Sequence, residues 1–482
     1  MSVEATVTAA PFPDLPGLTD DENLSLRVML KQIRDKAAFH RTVQAYYDLE
    51  NSFRAANNGI IPGRYSQLGL ILGWAQKGVD ALSARCKFAG LTWSDGDLGS
   101  LGYREFEIAN RFRAETDKAT VSELIHAVSF AVATKGETGE PAGMLHYASG
   151  EDASGLWNNR LRRLDAFVWV HEWADNEPVS LTFYAPGKTV TAVKDTVWST
   201  EVSTHSFGMP VEPLSYQPRL KRWAGRSRIN RAVRGLQRAA VRELVRLEGH
   251  MDLYSRPEFI LLGADESVFA DTGDAWRAGL GKVRGIPDDL DMAEADLPSL
   301  ARADVKHFQA ASPEPHLAAL NMYAKMVARE LALPDSSIAI TDFANPTSGE
   351  AYDASQQELI AAAEGVTDSN TPGLERVARI ALAMHNEETE VDPRWATIRA
   401  NWQDPRYQSR AAQADAGSKI IGSVPELAGT SVGLELLGLS PDQAERAEAE
   451  MRRNRLSAAV GGLAAAARPR EVEVVEGEPG GE

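Results

Sequence analysis

Phosphate chemistry is the first candidate, because Gly279-Leu280-Gly281-Lys282-Val283-Arg284-Gly285 crowds glycines around a lysine. A phosphate loop needs a Gly-Lys-Ser/Thr ending or G-x-G-x-x-G spacing, which let backbone N–H groups reach a pyrophosphate, and this stretch has neither. Zinc hydrolysis would start from His171-Glu172, but Asp175 stands where the second histidine of H-E-x-x-H belongs, and residues 172–175 read as a solvated turn. Asp288, Asp289 and Asp291 are carboxylates that suit a hard cation, as in a metal-dependent phosphoesterase. They lack EF-hand or two-metal spacing, so a solvated acidic loop is the favoured reading. Gly225-Arg226-Ser227-Arg228 opens like a nucleophile elbow, yet Ile229 replaces the second glycine, and Ser227 reads as part of a helix start. The nine histidines fall at no spacing that pairs them. Cys86, the only cysteine, excludes an intramolecular disulfide and a thiolate zinc site, and reads as a small buried apolar side chain. The sequence therefore predicts no catalytic residue, no metal site and no cofactor.

One charged feature remains. Arg219, Lys221, Arg222, Arg226, Arg228, Arg231, Arg234, Arg238, Arg242 and Arg246 crowd a short stretch of an acidic chain, and the last four recur every four residues. Such a stripe contacts nucleic acid or pairs with acidic faces of the same or a neighbouring subunit. With a formal net charge of −17, pairing with acid is favoured.

The same charge argues against tight, general nucleic-acid binding, since neutralising phosphates needs a surplus of cations at the contact surface. At 482 residues, 43% hydrophobic and 25% charged, the chain can bury a real core and divide into two to four domains. No apolar run approaches the roughly 18 residues of a membrane span. The N-terminus lacks the pattern of a secretory signal, which predicts cytoplasmic synthesis.

The elements that must carry the stripe are legible from period and punctuation. Thr19 with Asp20, Asp21 and Glu22 caps a helix bearing Leu26, Met29, Leu30 and Ile33. A second helix carries Trp74, Val79 and Leu82 on one face. From Phe130 to about Val202, short β-branched runs between turn signals predict an antiparallel β module. Ile229, Val233, Leu236, Ala240, Leu244, Leu247, Met251 and Tyr254 then form a single stripe, predicting a long helix packed along its whole length. Phe259 to Leu262 is a strand candidate. Ser312 caps a helix with Leu317, Leu320, Ala324, Val327 and Leu331, which Pro334 stops. A loop follows, then a helix opened by a Thr347/Glu350 capping box. Beyond Pro372 the chain reads as further helices broken near Pro393, Pro405 and Pro425.

The order of these signals resembles the portal proteins of tailed phages, specifically the siphophage-type family found in phages of actinobacteria. The resemblance rests on the stretch from Trp74 to Trp93 with its Val79-Asp80 pair, similar to the family's early helix, on Gly225-Arg226-Ser227-Arg228-Ile229 before a long helix ending at Tyr254-Ser255-Arg256-Pro257, and on Leu331-Ala332-Leu333-Pro334. It continues through Asn345-Pro346-Thr347-Ser348-Gly349-Glu350-Ala351, Trp402-Gln403-Asp404-Pro405 and Leu437-Gly438-Leu439-Ser440. Each motif alone is weak; together, in order, they cover residues 74–446.

The resemblance implies an α+β, mainly helical portal fold, with wing, stem, clip and crown regions closing into a ring. In those terms 1–18 is a flexible arm, 19–225 a wing, 226–256 a long wing or stem helix, 257–311 a clip-like region and 312–334 a stem helix. A tunnel loop at 335–347 would present Asp335, Ser336, Ser337, Asp342, Phe343 and Asn345, followed by a helical wing and crown at 348–468 and a disordered acidic tail at 469–482. It further implies a homo-oligomer, typically a dodecamer, at a capsid vertex of the virion, assembled in the host cytoplasm, with no membrane partner. Expected partners are the terminase large subunit, a head completion or adaptor protein, the major capsid and scaffolding proteins, and double-stranded DNA passing without specific binding. Arg226, Arg231, Arg234, Arg238, Arg242 and Arg246 are the expected intersubunit or DNA-contact residues. The readings from other classes are the metal-dependent phosphoesterase and a monomeric helical adaptor.

Overall fold

The structure, a computed structural model, describes residues 12–50, 70–254, 258–262, 283–286, 304–308, 311–334, 337–338, 349–406, 410–439 and 441–466. The chain divides into two compact units, Met1–Pro405 and Arg406–Glu482. The fold is mixed α+β: helices alternate with four sheets among the described residues.

In the first unit, α1 (Asp20–Tyr47) opens at the expected Thr19 cap, and Glu22 completes a capping box, each side chain accepting the other's backbone N–H. α2 (Trp74–Ser83) and β1 (Phe88–Trp93) follow, then α3 (Tyr103–Asn110) and α4 (Phe112–His126). Strands β2 (Val128–Lys135), β3 (Gly143–Ser149), β4 (Ala153–Asn158), β5 (Arg163–Ala174), β6 (Glu177–Ala185), β7 (Lys188–Lys194), β8 (Trp198–Thr204) and β9 (Val211–Ser215) form the β module. It is antiparallel throughout, in two sheets of order β4-β5-β6-β7-β8 and β3-β2-β9.

Two-residue alternation builds four layers from these parts. Ala166, Val168 and Val170 of β5 face Leu26, Met29, Leu30 and Ile33 of α1, whereas Phe167 and Tyr184 face Phe130 and Val132 of β2. The other side of β2, Ala131 and Ala133, packs on Leu374, Val377, Ala378 and Ala381. Those four belong to α7 (Gly349–His385), so the order is helix, sheet, sheet, helix.

Between the module and α7 lie α5 (Arg231–Tyr254), β10 (Glu258–Leu262), β11 (Val283–Ile286), β12 (Asp304–Phe308) and α6 (Glu314–Glu330). β10 is the centre of a small sheet, parallel to β11 and antiparallel to β12. After α7, β13 (Ile398–Trp402) returns to pair with β1. The second unit is helical among the described residues, with α8 (Arg410–Ser423), α9 (Ser431–Leu436) capped by Thr430, and α10 (Pro441–Ala466).

Several sequence expectations need correction. The arm is not free over its last residues, because Phe12 and Leu15 are buried with α1 against the five-stranded sheet. β5 continues through Glu172 and Trp173, so the turn after His171 is only Asp175-Asn176; both have positive φ, as a two-residue hairpin demands. The long helix begins at Arg231 rather than residue 226, since Asn230 Oδ1 accepts the N–H groups of Ala232 and Val233 at 2.8 and 3.0 Å. Nor does it pack to its end, as Met251 is 46% exposed. Pro372 does not break α7, which runs through it: packing against β2 and β9 on one side outweighs the single lost backbone hydrogen bond. The tail at 469–482 lies outside the described residues.

Candidate functional site

Gly225 is where the cationic segment acquires its geometry. Its φ is +64°, and a Cβ there would lie 2.2 Å from the Tyr216 carbonyl oxygen, so only glycine lets the chain turn back beside the end of β9. Ser227 Oγ then accepts the Ile229 N–H at 3.1 Å, making a turn before the helix. Arg228 is driven inward. Although 4% exposed, it meets no carboxylate among the described residues; it donates to Gly78 O in α2 at 2.7 Å, to the Tyr216 hydroxyl at 2.9 Å and to Leu331 O at 2.5 Å. Leu331 caps the C-terminal end of α6, where free carbonyls carry partial negative charge, and this offsets the cost of burying the cation.

α5 and α6 form an antiparallel pair. At one end Asn230 Nδ2 donates to Glu330 Oε1 at 2.7 Å; at the other His250 Nε2 lies 2.9 Å from Ala311 O and its ring packs on His316. Between them Glu243 Oε1 meets His316 Nδ1 at 2.7 Å. Burial pushes the Glu243 carboxyl up, but hydrogen bonds from His316 and Arg246 outweigh it and hold it below the ordinary range. Val233, Ala240, Leu320, Ala324 and Val327 fill the same core, and Gln237, fully buried, ties α5 to the backbone of Leu72 and Ala75.

The arginines occupy the other side of α5. Steps of four residues advance about 40° beyond a full turn, so Arg234, Arg238, Arg242 and Arg246 spiral across roughly 120° of the helix surface. Arg234 is half-buried, 5.9 Å above the Phe39 ring of α1; burial lowers its pKa, Tyr46 opposes this, and Arg238 and Arg231 add to it. Arg246 pairs with Glu243 at 2.9 Å, and Arg226, outside the helix, donates to Gln217. Arg231, Arg238 and Arg242 are exposed, and among the described residues no carboxylate pairs with them. Among the described residues, the chain's acids pair with Arg246 and leave Arg231, Arg238 and Arg242 without a carboxylate.

Of the expected tunnel-loop residues, Asp335, Ser336, Asp342, Phe343 and Asn345 lie outside the described residues, as do Asp288, Asp289 and Asp291. Ser337 is exposed and donates its N–H to Pro334 O at 2.9 Å, with Ile338 buried beside it. Of the glycine-rich stretch, Val283, Arg284 and Gly285 lie in β11. His171 in β5 hydrogen-bonds Thr182 at 2.8 Å. Among the described residues no group of three or more His, Cys, Asp and Glu is placed to hold a metal, and no helix is long and apolar enough to cross a membrane. Cys86 is buried, its thiol pushed up to about 12 chiefly by that burial.

Sequence reasoning missed two buried polar pairs. Asn370 of α7 donates to both carboxyl oxygens of Glu123 in α4 at 2.9 and 2.8 Å and accepts the Ser215 N–H at 3.1 Å. His40 and His126 meet Nδ1 to Nδ1 at 3.1 Å between α1 and α4. A polar residue on the apolar face of a helix is the available signal, but its partner is distant in sequence.

Comparison with known proteins extends beyond this geometry. The family described as "Phage portal protein, SPP1 Gp6-like" matches residues 40–452. The portal protein of Mycobacterium phage L5 is 24% identical over 426 residues, covering 85% of this chain and 84% of its own. That of Mycobacterium phage D29 is 24% identical over 436 residues, covering 86% and 85%. Among solved structures, the neck of an empty gene transfer agent particle is similar at 13% identity and a TM-score of 0.40, covering 82% of this chain and 97% of its own. A chain of the native gene transfer agent virion reaches 15% and 0.38, covering 83% and 99%.

Proposed function

Because the chain belongs to the family of SPP1 Gp6-like phage portal proteins, we propose that it is one subunit of a closed ring at a capsid vertex, through which double-stranded DNA enters and leaves. The role is structural. The observation that carries it is the extent of the family match, which runs from α1 to α10 and so takes in the β module, the α5/α6 pair and α7 together.

The electrostatics support a channel that moves DNA without holding it. A chain at −17 repels phosphate on average, which shortens dwell times along a wall. In this reading the ring is a dodecamer assembled in the host cytoplasm, which docks the terminase large subunit and a head completion or adaptor protein and sits among capsid and scaffolding proteins. α5 and α6 are stem or wing helices, β10 to β12 the clip-like part, and residues 335–347 the tunnel loop. The unpaired arginines Arg231, Arg238 and Arg242 face an acidic surface of the next subunit, because a closed ring is built from heterologous contacts in which one face of each copy meets a different face of its neighbour.

Electron microscopy of the purified protein and of particles tests this reading. Rings of about twelve copies with a central opening are expected. Particles whose vertex carries this protein as a solid disc, without an opening, would overturn it.

A further inference from the structure

Two features of the first unit lie at opposite ends of one strand. At the start of β2, Val128 pairs with Ser215, and the chain then leaves β9 into a tight hairpin closed by Arg219 N–H to Arg222 O at 3.1 Å and Arg222 N–H to Arg219 O at 2.7 Å. Its tip is Leu220, 99% exposed, flanked by exposed Arg219, Lys221 and Arg222. The hairpin base is fixed, because Trp223 stacks on Trp157 with ring centroids 5.7 Å apart. Leu220 is the most exposed large apolar side chain among the described residues, and it is presented on a braced turn among three cations.

At the far end of β2, Ala133 to Glu137 border a cavity of 880 Å³, within the size range of sites that take a ligand group. Trp169, Phe207 and Met384 supply its apolar wall. Glu137, Glu201, Glu387 and Glu388 are exposed at it, against Lys135 as the one Lys or Arg among the described residues that line it. Burial lowers the pKa of each of its histidines, His146, His171 and His205, which favours their neutral rings. From Val128 to Lys135 the strand spans roughly 20 Å at about 3.3 Å per residue, so the hairpin of one copy does not reach its own cavity by local movement.

We infer that the Leu220 hairpin of one subunit inserts into the Trp169/Phe207/Met384 cavity of the next copy of this chain, its cations meeting the glutamates there. Apolar tip matches apolar wall, and three cations match an acidic site of opposite sign. The two surfaces are different, as a heterologous ring contact requires, and they sit at opposite ends of β2. This contact rests on the ring reading above and names surfaces for it.

Disulfide trapping between two singly substituted full-length chains, Leu220→Cys and Glu201→Cys, tests it, since the native Cys86 is buried and both new thiols are exposed. Mixed under mild oxidation, they should give a cross-linked dimer that neither chain gives alone. Leu220→Asp should lower the yield of rings at least tenfold by light scattering, with its far-UV spectrum unchanged. Wild-type rings with no cross-link, and Leu220→Asp rings at normal yield, overturn this inference while leaving the ring reading standing. A wild-type chain that forms no ring at any concentration, with no cross-link, overturns both.

Discussion

The Arg228 guanidinium donates to the carbonyl oxygen of Leu331 at 2.5 Å, so the residue just before α5 closes the end of α6. Its other donors hold Gly78 and Tyr216, which makes one side chain the joint of α2, β9, α5 and α6. Replacement by methionine removes three hydrogen bonds, those to the oxygens of Gly78, Tyr216 and Leu331. The expected cost is about 3 kcal/mol, read as a shift of the urea midpoint. Arg228→Lys should recover little of it, because one ammonium cannot reproduce a planar fork serving three directions. A midpoint unchanged in Arg228→Met would count against the joint.

Glu123 sets an alkaline limit. Burial raises its carboxyl to about 8, and the hydrogen bonds from Asn370 only partly oppose this. The folded state therefore holds a proton that the unfolded state releases near the ordinary 4.5. Its stabilising contribution is complete below that value and is lost as pH rises through about 8. Glu123→Gln should flatten the fall in stability between pH 5 and 9, measured by denaturant unfolding at each pH; equal slopes in both proteins would remove Glu123 as the cause.

His40 and His126 set the acid limit. Burial pulls both down to about 4, helped at His40 by the charges of His126 and Lys36. Glu151 lies 3.9 Å from His126 Nε2, too far for a hydrogen bond, and its own carboxyl is raised, first by burial. One imidazole must donate and the other accept across 3.1 Å, which two imidazolium rings cannot do. Because the folded values lie below the ordinary 6.5, the contribution is present above 6.5 and lost as pH falls towards 4. In that window His40→Gln should reduce the slope of stability against pH by one proton, about 1.4 kcal/mol per pH unit.

The amphipathic elements were legible because their signals are local. Thr19 and Glu22 lie three residues apart, Leu26 to Ile33 keep a helical period, and the alternation in β5 and β6 marks strands whose two faces bury different partners. Non-local effects escaped. Pro372 reads as a breaker until β2 and β9 are seen packed on its helix, and Met251 fits the stripe of α5 but is 46% exposed. The arginine stripe was legible as charge, but its division into inward Arg228, half-buried Arg234 and outward Arg238 depends on a glycine turn and on α1, which lies about 200 residues earlier.

The outward arginines supply the last prediction. Arg238 and Arg242 are one helical turn apart, exposed, and unpaired among the described residues, while Arg231 and Arg234 sit close enough to add like charge. Holding so much positive charge on one face is unfavourable in the isolated chain, and an acidic surface of a neighbouring copy relieves it. Arg238→Glu with Arg242→Glu should therefore abolish rings while leaving thermal unfolding of the monomer within a few degrees, since neither side chain is packed in the core. High salt should weaken wild-type rings in the same direction, because exposed pairs are screened over about 8 Å at physiological ionic strength. DNA as the partner of this face predicts a different pattern: the double variant would still form rings, and only its affinity for duplex DNA would fall. Intact rings in the double variant would thus reassign the stripe from subunit contact to the channel.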